Sequence, residues 1–294
     1  MEFLCPAEID SGELATLSYN LHFDIPAHSD SPTRLCSILL QSYFSRKPVS
    51  EHLRHLQQEC VVTALRLASG LAEVLPKLPL SSEEGSNLKT IVLCLQLAQM
   101  CCQGMWTHQS LLLQLPYMTA SRIEDLAAKG VTDIADLMNM EDTDRDQALR
   151  LSPAEMSELA LVCNRQPSMD LSVKATNEAS VEVVVRRDID PSDFEDQHQF
   201  LEELKIFASH VPSQTLTWPK QEVWWLLIGA PKKQSLLFCK RIGVLGAKQS
   251  VTVAADLKLG AQEEELKAKG ALSLKAYLIC ESFLGCDTEK SFQI

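Results

Sequence analysis

Several residues in this sequence have side chains that could bind a metal or act in catalysis. His52, His55 and Glu59 are spaced i, i+3 and i+7, which would place them on one face of a helix. Imidazole and carboxylate groups on such a face could bind Zn²⁺, but the segment supplies no further convincing ligand. An exposed polar helix face explains the three residues more simply than a metal site does.

A run of aspartates, Asp142, Asp144 and Asp146, resembles the start of a calcium-binding loop. Such a loop needs glycine at its sixth position and glutamate at its twelfth. Gln147 and Pro153 occupy those two positions. We therefore predict that this segment binds no calcium.

The chain has ten cysteines, and none of them forms a C-x-x-C pair. Several lie within apolar runs, where cysteine packs as a small hydrophobic residue. Cys280 and Cys286 could belong to a metal site, but no histidine follows His210. In the absence of a signal peptide, the sequence predicts free thiols in a reducing compartment.

Motifs that would reveal an enzyme are missing from the sequence. It contains no G-x-x-x-x-G-K-[ST], G-x-G-x-x-G, G-x-S-x-G or H-E-x-x-H motif. We therefore predict no catalytic residue, no cofactor and no metal, and no enzymatic activity for this chain alone. The formal charge of −12 opposes general nucleic-acid binding, because phosphate contacts need clustered lysine and arginine.

The elements that would position any site begin with helices. Leu88–Trp106 is apolar on most sides, which predicts a central helix buried all round. Its lysine and glutamines argue against a membrane span. Apolar spacing predicts two further helices, Ser31–Phe44 and Glu51–Leu75, the second ended by Pro76. Together these elements predict an α-helical bundle over residues 1–113.

The next part, residues 114–166, has the pattern of a helix-hairpin-helix (helix-loop-helix). Arg122–Lys129 forms the first helix, Gly130 ends it, and a Ser152-Pro153-Ala154-Glu155 capping box starts a later one. Such hairpins often bind a nucleic-acid backbone. Residues 119–158, however, contain ten acidic side chains and four basic ones, which favours a structural role.

From residue 167 to 294 the pattern changes to six or seven short strands, which predicts an antiparallel sandwich. The segment from Gly229 to Gln234 predicts a hairpin turn between two of them. The insert Asp190–Leu216 interrupts the strands, and we expect its aromatic residues to pack on the sheet edge. We expect Glu263–Glu265 to lie in a solvated loop.

Four residues of this part are candidate partner contacts: Trp218, Trp225, Lys240 and Arg241. Because neighbouring strand residues face opposite sides, only one of Trp224 and Trp225 can lie in the sandwich core. The other must be covered by the insert, by the helices or by a partner. Packing in the core or at the edge, and a solvated basic hairpin tip, are the simpler alternatives.

Three stretches together resemble one family. They are residues 96–119, residues 130–173, and the pair EVWWLLIGAPKKQSLLFCKRIGVL and YLICESFLGCDTEKSFQI. These stretches are similar to the Sec63 homology unit that follows the ATPase cassettes of large superfamily-two RNA helicases. The resemblance is strongest to the C-terminal cassette of the spliceosomal U5 snRNP helicase. The related signal-cointegrator helicase usually has leucine where Cys286 stands, but this single position does not exclude that helicase as the parent.

The resemblance implies an α+β multidomain fold: a helical bundle, a helix-hairpin-helix and a β-sandwich of immunoglobulin or fibronectin-III type. It implies a nuclear, non-catalytic scaffold that contacts its own cassette and other spliceosomal proteins. The chain would then be either a fragment of an ATP-dependent RNA helicase or a diverged stand-alone copy of the unit. No membrane contact is expected. The alternative is an RNA-gripping unit in which the central helix guides single-stranded RNA. Its candidate RNA contacts are Gln96, Gln99 and Gln103.

Overall fold

Helices and antiparallel sheets together build the chain, which confirms the predicted α+β class. In this computed structural model, eight α-helices and two short 3-10 helices lie between residues 11 and 164 of the described part, and two antiparallel sheets follow them. The structure describes residues 11–78, 87–188, 212–216, 220–232, 234–243, 250–268, 270 and 272–294.

The first helices are α1 (Ser11–Ser18), α2 (Ser31–Phe44), α3 (Glu51–Val74) and α4 (Leu88–Gln103). Side-chain oxygens cap two of them, since Asp30 accepts a hydrogen bond from Thr33 N–H and Ser50 accepts one from Leu53 N–H. One apolar cluster joins α2, α3 and α4 and contains Tyr43, Phe44, Val61, Leu65, Ala68, Ala98, Cys101, Cys102 and Trp106.

Helix α4 is shorter and less enclosed than its composition predicts. It ends at Gln103 rather than Trp106, because Gly104 adopts a left-handed conformation with φ of 58°. Leu93 is 53% exposed, and Lys89 is exposed as well. The expectation that this helix is buried on all sides is therefore wrong. Helices α2 and α3 and the second sheet cover its other sides.

Four short helices form the acidic part of the chain: α5 (Ala120–Ala128), α6 (Ile134–Met138), α7 (Asp142–Leu149) and α8 (Pro153–Asn164). Gly130, with φ of 81°, follows the end of α5 as predicted. The capping box at the start of α8 is also confirmed. The four helices enclose a small apolar cluster that includes Leu112, Leu126, Leu137, Leu149 and Leu159.

Seven strands form the two sheets. The first sheet has the order β1-β2-β5, and the second has the order β4-β3-β6-β7, with every described pairing antiparallel. The strands are β1 (Met169–Ala175), β2 (Ser180–Arg187), β3 (Trp224–Ala230), β4 (Ser235–Gly243), β5 (Ser250–Asp256), β6 (Ser273–Cys280) and β7 (Thr288–Gln293).

One hydrophobic core lies between the two sheets. Val183 and Val253 enter it from the first sheet, and Trp224, Leu226 and Leu278 enter it from the second. The hairpin predicted at residues 229–234 joins β3 to β4. Both sheets thus turn an apolar face toward the other, as alternating strand residues require.

The sequence expectations also concerned two segments that connect the strands. Glu263–Glu265 lies in a helix, α9 (Ala261–Ala268), rather than in a loop. Glu263 is buried and accepts a hydrogen bond from Ser235 Oγ at 2.8 Å, so the expected solvated loop is wrong. The insert Asp190–Leu216 falls outside the described residues except for 212–216, and Trp218 also lies outside them.

Candidate functional site: the junction of helices and sheets

The two neighbouring tryptophans of β3 lie on opposite faces of the second sheet. Trp224 is fully buried in the core between the sheets. Trp225 is 2% exposed and packs on the opposite face with Ile91 and Leu95 of α4. The helices therefore cover Trp225, which leaves its ring unavailable as a surface contact for a partner.

A buried carboxylate lies beside Trp225. The Glu281 carboxylate accepts a hydrogen bond from Trp225 Nε1 at 3.2 Å and lies 2.9 Å from Lys220 Nζ. The hydroxyl of Ser69, on α3, donates to the same carboxylate. Burial alone would raise the pKa of Glu281, but Lys220, Ser69 and Trp225 together hold it below its usual value. Glu281 is therefore a structural anion that ties α3 to the second sheet.

Three glutamines from the helical part reach the segment between β6 and β7, residues 280–287. Gln99 Nε2 donates to Cys280 O at 2.7 Å and to the Asp287 carboxylate at 3.0 Å. Gln103 Nε2 donates to Ser282 O at 2.8 Å. These bonds satisfy backbone carbonyls that the strands leave unpaired at their ends.

The third glutamine, Gln114, follows α4 and binds both backbone groups of one residue. Its Nε2 donates to Leu284 O at 3.0 Å, and its Oε1 accepts from Leu284 N–H at 3.0 Å. Leu111 packs close to Gly285, whose φ of 80° favours glycine. Residues 280–287 are thus held along their length by side chains from the helices.

These contacts bear on the residues considered for RNA binding. Gln99 and Gln103 are each 1% exposed, because both amides are turned into the junction. Gln96 is only half-buried. A strand of RNA on the surface could not reach Gln99 or Gln103 in this conformation, so their amides hold helix and sheet together here.

The basic residues considered for partner binding lie on the surface instead. Lys240 and Arg241 are both exposed on β4. Arg241 lines two grooves, one of 560 Å³ between β4 and the end of α3, and one of 640 Å³ beside Arg66 and Lys220. Lys240 and Arg241 are therefore accessible, unlike Trp225.

A buried ion pair joins the two sheets. Arg187 at the end of β2 pairs with Glu222, and both side chains are at most 4% exposed. Trp224 Nε1 also donates to Glu222, at 2.5 Å. The pair links the first sheet to the start of β3 and leaves neither charge free for a ligand.

The described residues contain no group of three or more histidine, cysteine or acidic side chains placed to hold a metal. All nine cysteines in this part of the chain are free thiols, as predicted. Burial raises the pKa of Cys102 to about 12 and that of Cys163 to about 11, so neither thiol ionises readily. Across the described helices, none has the length and apolar character that a membrane crossing requires.

Residues 8–293 match the family model described as the Sec63 Brl domain. The chain belongs to the Sec63 family. The DExH-box ATP-dependent RNA helicase DExH12 of Arabidopsis thaliana is 31% identical to this Sec63 domain over 98% of the chain. The human U5 small nuclear ribonucleoprotein 200 kDa helicase is 30% identical over 88% of it.

The Sec63 domain spans only a small part of these relatives. It covers 12% of the length of DExH12 and 11% of the human helicase. A third relative, an activating signal cointegrator 1 complex subunit 3-like protein of Dictyostelium discoideum, is 29% identical over 90% of the chain. The resemblance inferred from the three sequence stretches is therefore confirmed at the level of the family and its RNA-helicase relatives.

Several residues of the junction were not singled out by the sequence. Ser69, Gln114 and Glu281 carry no motif, and their partners lie far away in the chain. The sequence offered one signal for the junction, namely the glutamines in the otherwise apolar helix α4. Buried polar side chains need partners, so Gln99 and Gln103 could have been expected to bind protein groups.

Proposed function

We propose that this Sec63 domain is a non-catalytic scaffold and protein-interaction unit of a spliceosomal RNA helicase, acting in the nucleus. The observation that carries the proposal is the burial of Gln99 and Gln103, each 1% exposed, against residues 280–287. The two buried α4 glutamines that were considered for RNA binding donate their hydrogen bonds inside the protein instead. The names of the helicase relatives support the spliceosomal setting.

We also propose three units: a helical bundle over residues 1–113, a helix-hairpin-helix over 114–166 and an immunoglobulin- or fibronectin-like sandwich over 167–294. Separate apolar clusters in α2–α4, in α5–α8 and between the sheets support this division. The glutamine contacts would then join the bundle to the sandwich as one platform on which other spliceosomal proteins and the helicase's own cassette could dock.

Two surfaces suit protein contacts under this proposal. One is the exposed pair Lys240 and Arg241 on β4. The other is the surface formed by α5–α8, where the ten acidic side chains of residues 119–158 repel phosphate. Protein partners could approach both surfaces without competing with the buried contacts of the junction.

RNA guidance along α4 is the second candidate. It is favoured by the exposed outer side of α4, where Lys89 is exposed and Gln96 is half-buried. A single lysine supplies one phosphate contact, which gives weak binding at physiological salt. The overall charge of −12 opposes this candidate.

Titration of the full chain with fluorescein-labelled single-stranded RNA at two salt concentrations tests the two candidates against each other. The scaffold proposal predicts weak binding with a shallow salt dependence. Tight binding that falls steeply with salt, and that Lys89→Glu and Gln96→Ala weaken, would instead establish RNA guidance.

A pull-down from nuclear extract with the tagged chain tests the scaffold role directly. Splicing proteins identified by mass spectrometry should be retained by the wild type. A heat-unfolded sample of the same chain is the control for non-specific capture. If the folded chain retains no splicing protein above this control, the scaffold proposal is wrong.

A further inference from the structure

A cationic trough runs between α3 and β4 on this otherwise acidic chain. It consists of the two grooves that Arg241 lines, with volumes of 560 and 640 Å³, and we call it the α3–β4 trough. Six basic side chains line it: Arg66, Lys77, Lys220, Lys240, Arg241 and Lys258. Glu73, Asp256 and Glu281 are its three carboxylates. The trough thus carries a local excess of positive charge.

The carboxylates neutralise only two of these cations. Lys77 Nζ lies 3.1 Å from Glu73, and Lys220 Nζ lies 2.9 Å from Glu281. Asp256 accepts a hydrogen bond from Ser180 Oγ at 2.7 Å. Within the part of the chain that the structure describes, Arg66, Lys240, Arg241 and Lys258 have no carboxylate partner. These four cations attract an acidic ligand.

The walls and floor of the trough are apolar between the charges. Val62 and Leu65 of α3 line one groove, and Leu236 and Phe238 of β4 line the other. A ligand that fits must therefore combine acidic groups with apolar side chains. Peptides have this combination, whereas a nucleic-acid strand offers bases that bind best by stacking on aromatic rings.

The aromatic residues of the trough do not offer such a stacking platform. Trp225 lines one groove but is only 2% exposed, and Phe238 is half-buried. Among the described lining residues, none is an exposed aromatic side chain. The trough is therefore better suited to a peptide than to single-stranded RNA.

Strand β4 gives the trough a shape that suits an extended chain. It is an edge strand of its described sheet, and β5, at the edge of the other sheet, lies across the groove. Leu237 O already accepts a hydrogen bond from Lys258 N–H at 3.0 Å, which closes that part of the edge. The rest of the β4 edge, beyond Leu237, includes Lys240 and Arg241. Extended peptides commonly bind along exposed strand edges.

We infer that the α3–β4 trough binds an extended acidic peptide segment of a partner protein, with apolar side chains on its floor and carboxylates at Arg66, Lys240 and Arg241. This inference rests on the proposed protein-interaction function and names the chemistry of one partner. Charge complementarity supplies the specificity, because the rest of the chain repels acidic segments.

The test uses the full chain and a fluorescein-labelled peptide of about ten residues that alternates glutamate with valine, a length that spans an edge strand. Fluorescence anisotropy measures its binding to the wild type and to Lys240→Glu/Arg241→Glu. A matched control is Lys174→Glu/Lys290→Glu, which makes the same charge change at exposed positions of β1 and β7, on the opposite edge of the sheets. A lysine–valine peptide and labelled oligouridylate complete the set.

The acidic peptide should bind the wild type, and the trough variant should weaken it about tenfold or more, while the control variant changes it little. Equal weakening by both variants would show that only overall charge matters and would overturn the inference. So would the absence of acidic-peptide binding, or oligouridylate binding that depends on Lys240 and Arg241. All four substituted residues are exposed, and unchanged urea midpoints verify that both variants fold.

Failure here is distinguishable from failure of the scaffold role. If the wild type retains splicing proteins in the pull-down but does not bind the acidic peptide, the scaffold proposal stands and the trough assignment falls. If the peptide binds but no splicing protein is retained, the trough is a peptide site without the proposed spliceosomal role.

Discussion

The junction and the acidic helices α5–α8 use polar side chains in opposite ways. At the junction, Gln99, Gln103 and Glu281 bind groups that lie 56 to 212 residues away in the chain. In α5–α8, capping side chains such as Asp133 and Ser152 bind backbone groups three residues away. The junction therefore fixes how distant parts of the chain pack, whereas the caps fix only where single helices begin.

This difference predicts different costs when single side chains are changed. Substitution of a buried side chain at the junction removes several contacts at once and leaves its buried partners without a hydrogen-bonding group. An exposed cap loses one local bond, and water can replace it. Substitutions in the two regions should therefore separate by size, as the following predictions specify from the largest effect to the smallest.

Trp225→Ala should have the largest effect. It removes a ring that is 2% exposed between the second sheet and α4, and we expect a loss of about 4 kcal/mol in the free energy of unfolding. Trp225→Phe keeps most of the ring but removes the N–H that binds Glu281, and should cost less. Urea denaturation followed by tryptophan fluorescence or circular dichroism measures both.

The exposed Leu161 of α8 provides the counterpart in the acidic region. Leu161→Ala should change the free energy of unfolding by less than about 0.5 kcal/mol, because the side chain is 47% exposed. If Trp225→Ala costs no more than Leu161→Ala, the helices do not cover the sheet through Trp225 in solution.

Glu281→Gln should cost about 3 kcal/mol at neutral pH, because it leaves the Lys220 ammonium without its carboxylate inside the protein. Since the pKa of Glu281 is lowered in the folded state, its contribution is present above its usual value of 4.5. That contribution is lost as the pH falls through the folded pKa. The wild type should therefore lose stability in acid more steeply than Glu281→Gln does.

The matching change outside the junction is Glu182→Gln on β2, where the side chain is exposed. This variant should follow the wild-type pH curve within about 0.5 kcal/mol. Urea midpoints measured across the acid range give the comparison. Parallel curves for the wild type and Glu281→Gln would show that Glu281 is not a buried anion.

Gln99→Leu should cost about 2 kcal/mol, because Cys280 O and the Asp287 carboxylate lose their amide donor. Gln147→Leu makes the same chemical change at an exposed position of α7 and should be nearly neutral. Chemical denaturation measures both variants. A Gln99→Leu protein as stable as Gln147→Leu would mean that Gln99 faces water, which would restore it as a candidate RNA contact.

The contrast between the regions also explains what the sequence could predict. The cap at Ser152, the stop at Gly130 and the hairpin turn between β3 and β4 follow from residues within a few positions of one another. The partners of Gln99 and Gln103 depend instead on how residues 280–287 fold back onto α4. Composition predicted a helix buried all round, yet Leu93 is exposed, because three-dimensional packing decides which apolar side is covered.

Ser152→Ala should have the smallest measurable effect and sharpens the comparison most. Ser152 Oγ accepts a hydrogen bond from Glu155 N–H, while the Glu155 carboxylate accepts one from Ser152 N–H at 2.8 Å. Loss of the hydroxyl should cost about 1 kcal/mol. Because these bonds stay within the first turn of α8, the cost should add to that of Gln99→Leu in the double variant. A coupling energy above about 0.5 kcal/mol would mean that α8 and the junction unfold as one linked network, and the division into a local region and a long-range region would fail.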